Sequence, residues 1–156
     1  MAAMKTNAMR ILSAKKIPFK HYTYDPEVTD GVMVAALLRQ PGEKVFKTLV
    51  TEGASKNHYV FVIPVGETLD LKICAKTVGE KSVAMIKQKD LLPLTGYIHG
   101  GCSPVGMKKL FRTVIHTTAR KHETICVSAG HVGNQIEVSP IDLAELIGAE
   151  FSDIIV

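Results

Sequence analysis

Apolar residues recur along the chain at two spacings, helical and alternating, and the switches between them lay out the elements. Met4 to Ala14 carries Ala8, Ile11 and Leu12 on one face, which predicts a helix closed off by Pro18. A second helix is predicted over Gly31 to Arg39, stopped by Pro41-Gly42. Val45 to Thr51 and His58 to Val65 are rich in β-branched and aromatic residues and read as two strands. The Gly53-to-Asn57 stretch between them predicts a hairpin turn. Leu69 to Val78 reads as a third helix ended by Gly79, and Val83 to Ile86 as a short strand. Tyr97 to Gly106, with three glycines and a proline, is a loop by composition. Arg112 to His116, Thr124 to Ala129 and Gln135 to Val138 are strand-like. Ser139 has the character of an N-cap, with Pro140 in the first turn of a helix running to Ile147 and ending at Gly148. Strands with intervening helices predict a mixed α/β domain. No internal repeat, low-complexity tract or linker divides the chain, so residues 1–156 read as a single domain.

Composition narrows the class. A hydrophobic fraction of 46% and a charged fraction of 22% suit a globular core without disulfide support. No apolar run approaches the roughly 20 residues of a membrane-spanning helix. Lys5, Thr6, Asn7 and Arg10 break up the apolar core that a signal peptide would need, which predicts a cytoplasmic protein. Cys74, Cys102 and Cys126 are odd in number and far apart, so neither a disulfide framework nor a structural zinc site is expected. The six histidines form no H-x-x-x-H pair with a neighbouring acid, and neither metal nor cofactor is predicted.

The net charge of +4 matters less than its distribution. The opening segment up to Asp25 holds Lys5, Arg10, Lys15, Lys16 and Lys20 with no acid before it. Between Asp90 and Glu123 lie Lys108, Lys109, Arg112, Arg120, Lys121 and three histidines, and no further acid. After Lys121 there is no lysine or arginine, while six acids follow, from Glu123 to Asp153. Two basic blocks and an acidic tail either steer a polyanion to one face or form an unevenly charged solvated surface.

Three segments can carry chemistry. Gly100-Gly101-Cys102-Ser103-Pro104-Val105-Gly106-Met107-Lys108-Lys109 combines close backbone approach, a stiffening proline and positive charge. It is not a P-loop, and on pattern alone it is equally a tight turn before a helix. Lys47 sits among apolar residues on one face of a predicted strand, where it either keeps its head in water at the strand edge or serves a ligand. Ser128 ends a strand before small residues. Its surroundings, C-V-S-A-G, lack the G-x-S-x-G of a serine hydrolase, so an activated serine has poor support. His131 reads as a turn residue, and Cys102 as a packed thiol.

Taken in order, F-K-T-L-V at 46–50, I-P-V at 63–65, L-D-L-K-I-C-A-K at 69–76, T-G-Y-I-H-G-G-C-S-P-V-G-M-K-K at 95–109, I-C-V-S-A-G at 125–130 and I-E-V-S-P-I-D-L at 136–143 resemble the YbaK/EbsC family. These proteins are relatives of the editing domain inserted in bacterial prolyl-tRNA synthetases, and the resemblance covers nearly the whole chain. It implies a compact α/β domain with a mixed, barrel-like sheet flanked by helices. It also implies a trans-editing activity, the deacylation of mischarged tRNA, typically Cys-tRNA(Pro). By position, Lys47 matches the family's essential lysine, and Thr48 lies beside it. Tyr24 and Ser128 match pocket residues, while Gly100 and Pro104, with Gly101 and Ser103 between them, match the loop that holds the terminal adenosine. Gln135 stands where well-known members carry an aspartate, and Asp30 lies near another pocket position. The resemblance further implies a route in which the thiol of a cysteinyl substrate attacks its own ester, which needs no nucleophile from the protein. The implied partners are the acceptor end of aminoacyl-tRNA and prolyl-tRNA synthetase, with the chain a monomer or weak homo-oligomer. A non-catalytic module that binds tRNA or the synthetase is the competing expectation. A small-molecule hydrolase using Ser128 or Cys102 is a third.

Overall fold

The computed structural model describes residues 5–156. The first helix, α1 (Asn7–Ala14), begins later than Met4, which lies outside the described residues. Thr6 sets the start by accepting the Met9 N–H at 3.2 Å. Its apolar face buries Ala8, Met9 and Leu12. Beyond it, β1 (Phe19–Thr23) precedes α2 (Gly31–Leu37) and a 3-10 turn at Gly42–Lys44. The predicted hairpin forms from β2 (Phe46–Gly53) and β3 (His58–Pro64), antiparallel, with Lys47 opposite Ile63 and Thr48 opposite Val62. Then come α3 (Leu71–Val78), capped by Asp70, β4 (Val83–Met85) and α4 (Gln88–Thr95). The chain closes with β5 (Arg112–His116), a 3-10 turn at Thr117–Lys121, β6 (Ile125–Ser128), β7 (Asn134–Val138), α5 (Pro140–Ile147) and β8 (Glu150–Ser152). At α5 the Ser139 hydroxyl accepts the Asp142 N–H at 3.3 Å, the cap its sequence announces.

Three elements have no clear signal in the sequence. β1 and β8 show mixed or weak burial and exist through their partners: β1 pairs antiparallel with β7, and β8 runs parallel to β5. α4 contains Pro93, a helix breaker by local rule, yet Leu91 and Thr95 bury their side chains and hold the turn in place.

The mixed, barrel-like sheet expected from the resemblance is built in two parts. Five strands run β4-β2-β3-β5-β8 and three run β1-β7-β6, and a parallel bridge from Val45 to Cys126 joins the two sheets. The main core fills the space between them, with Phe46, Val60, Val62, Ile115, Ile125, Val127, Ile136 and Val138 at its centre, closed by α1 and α5. A second cluster packs α3 on the far face of the larger sheet, against Tyr59, Phe61 and Ile63. The face of the small sheet turned away from the main core carries Cys126, packed with Ala35, Val45 and Val65. This third, small cluster lies beside the site.

Candidate functional site

The start of β2 is tied to β6 by the Val45–Cys126 bridge, and its end, Thr51 to Gly53, pairs with β4. Between those ties no strand lies beside its outer edge among the described residues. Here the molecule opens a cavity of about 160 Å3. Phe46, Lys47, Thr48 and Leu49 form one side of it. Tyr24, Thr29, Gly31 and Val34 face them, and His99, Gly100 and Cys102 come in from the glycine loop. Ser128 and Gln135, register partners on β6 and β7, complete the wall.

Tyr24, Lys47, Thr48, Gly100, Ser128 and Gln135 stand out in the sequence, and the fold brings all six to this cavity. Lys47 is half-buried and shares the space with Gly100 and Ser128, rather than standing remote from both. Gly101, Ser103 and Pro104 do not line it. Gly101 is packed against the next loop, where a Cβ would sit 3.0 Å from the Val132 nitrogen. Ser103 is fully buried, and its hydroxyl accepts the Val105 N–H at 3.2 Å. Pro104 borders a separate depression with Gly106 and Met107. Past Gly100 the chain is buried, and of residues 101–104 only Cys102 reaches the cavity. Asp30 is the N-terminal flanking residue of α2, between the lining residues Thr29 and Gly31.

Sequence reasoning missed His99 and Thr29, both exposed at the cavity's rim. Their signal was adjacency to glycines: Gly100 packs against Thr29, whose Cγ2 lies 3.3 Å from a Cβ built on the glycine.

Two polar atoms of the lining are buried without a hydrogen-bond partner among the described residues, Thr48 Oγ1 and Gln135 Oε1. Native proteins satisfy the large majority of such groups, so a pair of orphans on one small cavity marks a place for a ligand's donors. The potential nucleophiles have no base hydrogen-bonded to them among the described residues. Burial pushes the Cys102 thiol up to about 12, which leaves it protonated at neutral pH. The Ser128 hydroxyl accepts the Gly130 N–H at 3.2 Å. Histidine side-chain hydrogen bonds among the described residues go elsewhere, His21 to Asn134 and His116 to the Ile154 N–H. Among the described residues no group of three or more metal-binding side chains gathers.

Tyr97 ties the two loops of the site together. Its hydroxyl donates to the Val105 carbonyl at 2.5 Å, and burial raises its pKa to about 12, so it stays a neutral donor. Its ring lies against Gly130, where a Cβ would come within 2.9 Å of it.

The family profile of the aminoacyl-tRNA editing domain matches residues 25–146, which span every lining residue except Tyr24. The chain belongs to the aminoacyl-tRNA editing domain family. A curated relative from Enterococcus faecalis, EbsC, named as a candidate Cys-tRNA(Pro)/Cys-tRNA(Cys) deacylase, is 43% identical to this editing domain over 152 residues. That alignment covers 96% of this chain and 93% of the relative. Among solved structures, a candidate trans-editing enzyme for prolyl-tRNA synthetase superposes with a TM-score of 0.85 at 20% identity, covering 99% of both chains. A hypothetical protein, APE2540, superposes with a TM-score of 0.87 at 22% identity, covering 94% of this chain and 97% of its own. At those identities the likeness is one of fold. The described helices include none long and apolar enough to cross a membrane.

Proposed function

We propose that the whole chain acts as one trans-editing aminoacyl-tRNA deacylase, with Cys-tRNA(Pro) as its foremost substrate. Family membership and the name of the 43% identical relative support this reading. The observation that carries it is the cavity itself: small, placed at an open strand edge, and holding the unpartnered oxygens of Thr48 and Gln135 beside Lys47. An aminoacyl group presents an ammonium donor, a short side chain and an ester, which suits such a lining.

In this reading Lys47 contacts the ester or the terminal phosphodiester as a positive charge. Gly100 lets the loop approach the terminal ribose closely, and Tyr24 and Ser128 bound the aminoacyl group. Thr48 Oγ1 and Gln135 Oε1 accept hydrogen bonds from it. Gln135 does so without charge, so the site holds the amino group by a neutral acceptor. The ester is already activated, and positioning supplies most of the catalysis. For a cysteinyl substrate, the substrate's sulfur adds to its own carbonyl carbon, and the bond to the ribose oxygen breaks. The thiol proton ends on that oxygen, and the products are a cyclic thiolactone and free tRNA. The protein's own Cys102 and Ser128 stay out of the chemistry. Prolyl-tRNA synthetase is the candidate partner that hands over mischarged tRNA, in the cytoplasm, and the chain needs no cofactor for this cleavage.

The test is release of labelled amino acid from purified Cys-tRNA(Pro) and Ala-tRNA(Pro). Wild type should clear the cysteinyl substrate, and Lys47→Ala should slow it by roughly 100-fold, the scale of removing one electrostatic interaction with the reacting group. A wild type that binds tRNA and releases neither amino acid would make this a regulatory binding module. Activity abolished by Ser128→Ala or Cys102→Ala but spared by Lys47→Ala would instead establish a protein nucleophile.

A further inference from the structure

Of the residues that line the cavity, only Thr29 and His99 are exposed, so these two mark its mouth. The space inside is about 160 Å3. An apolar cavity of about 150 Å3 takes one benzene, which has as many non-hydrogen atoms as a cysteinyl group. A cysteinyl group therefore fills the space, and the ribose and base stay outside. The bond to be broken, between the carbonyl carbon and the ribose oxygen, then lies at the mouth, level with His99.

The backbone fixes His99 in that place. The Gly101 N–H donates to the Ile98 carbonyl at 3.0 Å, and Gly100 has a φ of +85°. Together these make a tight turn with His99 and Gly100 at its two corners. The turn is wedged on both sides. A Cβ on Gly100 would lie 3.3 Å from Thr29 Cγ2, and one on Gly101 would lie 3.0 Å from the Val132 nitrogen. The two glycines let the turn pack down, and the residue before them is left standing at the mouth. Its imidazole is in no hydrogen bond or ion pair among the described residues, unlike those of His21, His58 and His116.

We infer that His99 is a catalytic residue, the proton carrier of the deacylation step. This rests on the deacylase reading above. That cleavage moves one proton, from the substrate thiol to the ribose oxygen. In the tetrahedral adduct both atoms are bonded to the same carbon, so one group at the mouth can serve both. Of the titratable side-chain types on the lining, imidazole is the one suited to taking and giving a proton at neutral pH. An unprotonated ring nitrogen of His99 takes the thiol proton as the sulfur bonds to the carbonyl carbon, and the π electron pair moves to the carbonyl oxygen. The adduct then collapses. The pair returns, the bond to the ribose oxygen breaks, and the imidazolium gives that oxygen the same proton. The histidine ends as it began, and the protein supplies a base without supplying a nucleophile.

His99→Gln keeps a polar side chain of similar reach that cannot carry the proton. The single-turnover rate on saturating Cys-tRNA(Pro) should fall roughly 100-fold, the lower end for general acid–base catalysis. Affinity for a non-hydrolysable amide-linked aminoacyl-tRNA and the melting temperature should stay close to wild type. A second variant, His99→Gly, opens the mouth to a base from solution. Added imidazole should restore much of its rate, and substituted imidazoles of similar size should do so in order of basicity, which a merely structural histidine would not produce. An unchanged rate in His99→Gln, a slowing matched by equal drops in affinity and melting temperature, or a His99→Gly rate that imidazole does not move would overturn the assignment. Wild type that cleaves no aminoacyl-tRNA at all would sink the deacylase reading instead, so the two failures are distinguishable.

Discussion

Glu137 shows how far one residue's environment can depart from its sequence neighbourhood. It belongs to a run of acids after the last basic residue, yet it is buried on β7. Tyr22 donates to it at 2.6 Å, and Lys44 and Thr124 each at 2.5 Å. Burial alone would push its carboxyl up, but the hydrogen bonds from Lys44, Thr124 and Tyr22, with the Lys44 charge, outweigh this and hold it at about 2. The same hydrogen bond raises the Tyr22 hydroxyl to about 12. The depressed carboxylate contributes stability above its ordinary value of 4.5, and that stability is lost as pH falls toward 2. The raised tyrosine contributes below its ordinary value of 10.0 and loses this as pH rises toward 12. Glu137→Gln should therefore cost about 1–3 kcal/mol near neutrality. Urea titrations should also show the acid-side slope between the two carboxyl values flattened relative to wild type.

At the scale of elements, the site is a product of loops locked by one tyrosine and of a strand left without a neighbour. Tyr97→Phe removes the hydroxyl that holds Val105, which should lower stability by about 1 kcal/mol. It should also slow deacylation more than it weakens tRNA binding, since the Gly100 wall loosens. Gly130 combines a φ of +99° with the Tyr97 ring at its back. Gly130→Ala should therefore cost roughly 1–3 kcal/mol of strain and shift Ser128 out of register. Thermal melts beside single-turnover rates would check both variants, and intact rates would refute the role given to this tyrosine. The hairpin of β2 and β3 and the helix caps at Ser139 and Gly148 were plain in the sequence, because each depends on neighbours within a few residues. β1, β8 and α4 were not. Their local signals are weak or contrary, and long-range pairing or burial supplies what propensity lacks.

For the whole molecule, folding brings part of the acidic tail back onto basic residues. Arg112 pairs with Glu150 at 2.8 Å, Lys44 with Glu137 at 2.5 Å, and His116 lies 3.8 Å from Asp153. One acid of the tail thus returns onto the second basic block through Arg112, and another meets Lys44, which lies outside both blocks. Beside Glu137 there remains an open groove of about 710 Å3, bordered by Lys20, Lys44, Lys121 and His122. Glu137 faces this groove while Gln135, two residues earlier on the same face of β7, lines the cavity. RNA leaving the cavity along this face would meet Lys20 and Lys121, both exposed. The double variant Lys20→Glu, Lys121→Glu should weaken tRNA binding. The slope of log affinity against log salt should flatten by about 0.7–0.9 for each phosphate that is no longer neutralised. Cleavage of a short aminoacyl-nucleoside substrate should be unaffected. An unchanged salt slope would place the RNA on another face.

By itself the sequence determined the local elements with strong periodicity or caps, the mixed α/β class, and the residue types gathered at Lys47, Gly100, Ser128 and Gln135. Those follow from interactions between near neighbours and from motifs that survive as linear patterns. Only the tertiary structure decided which residues of the glycine loop face inward and which are packed behind it. It also decided that Glu137 is buried rather than exposed, and that β2 keeps a bare edge between two ties. Each of these outcomes depends on where distant strands stop pairing, a geometric fact about the closed sheet that no local spacing encodes.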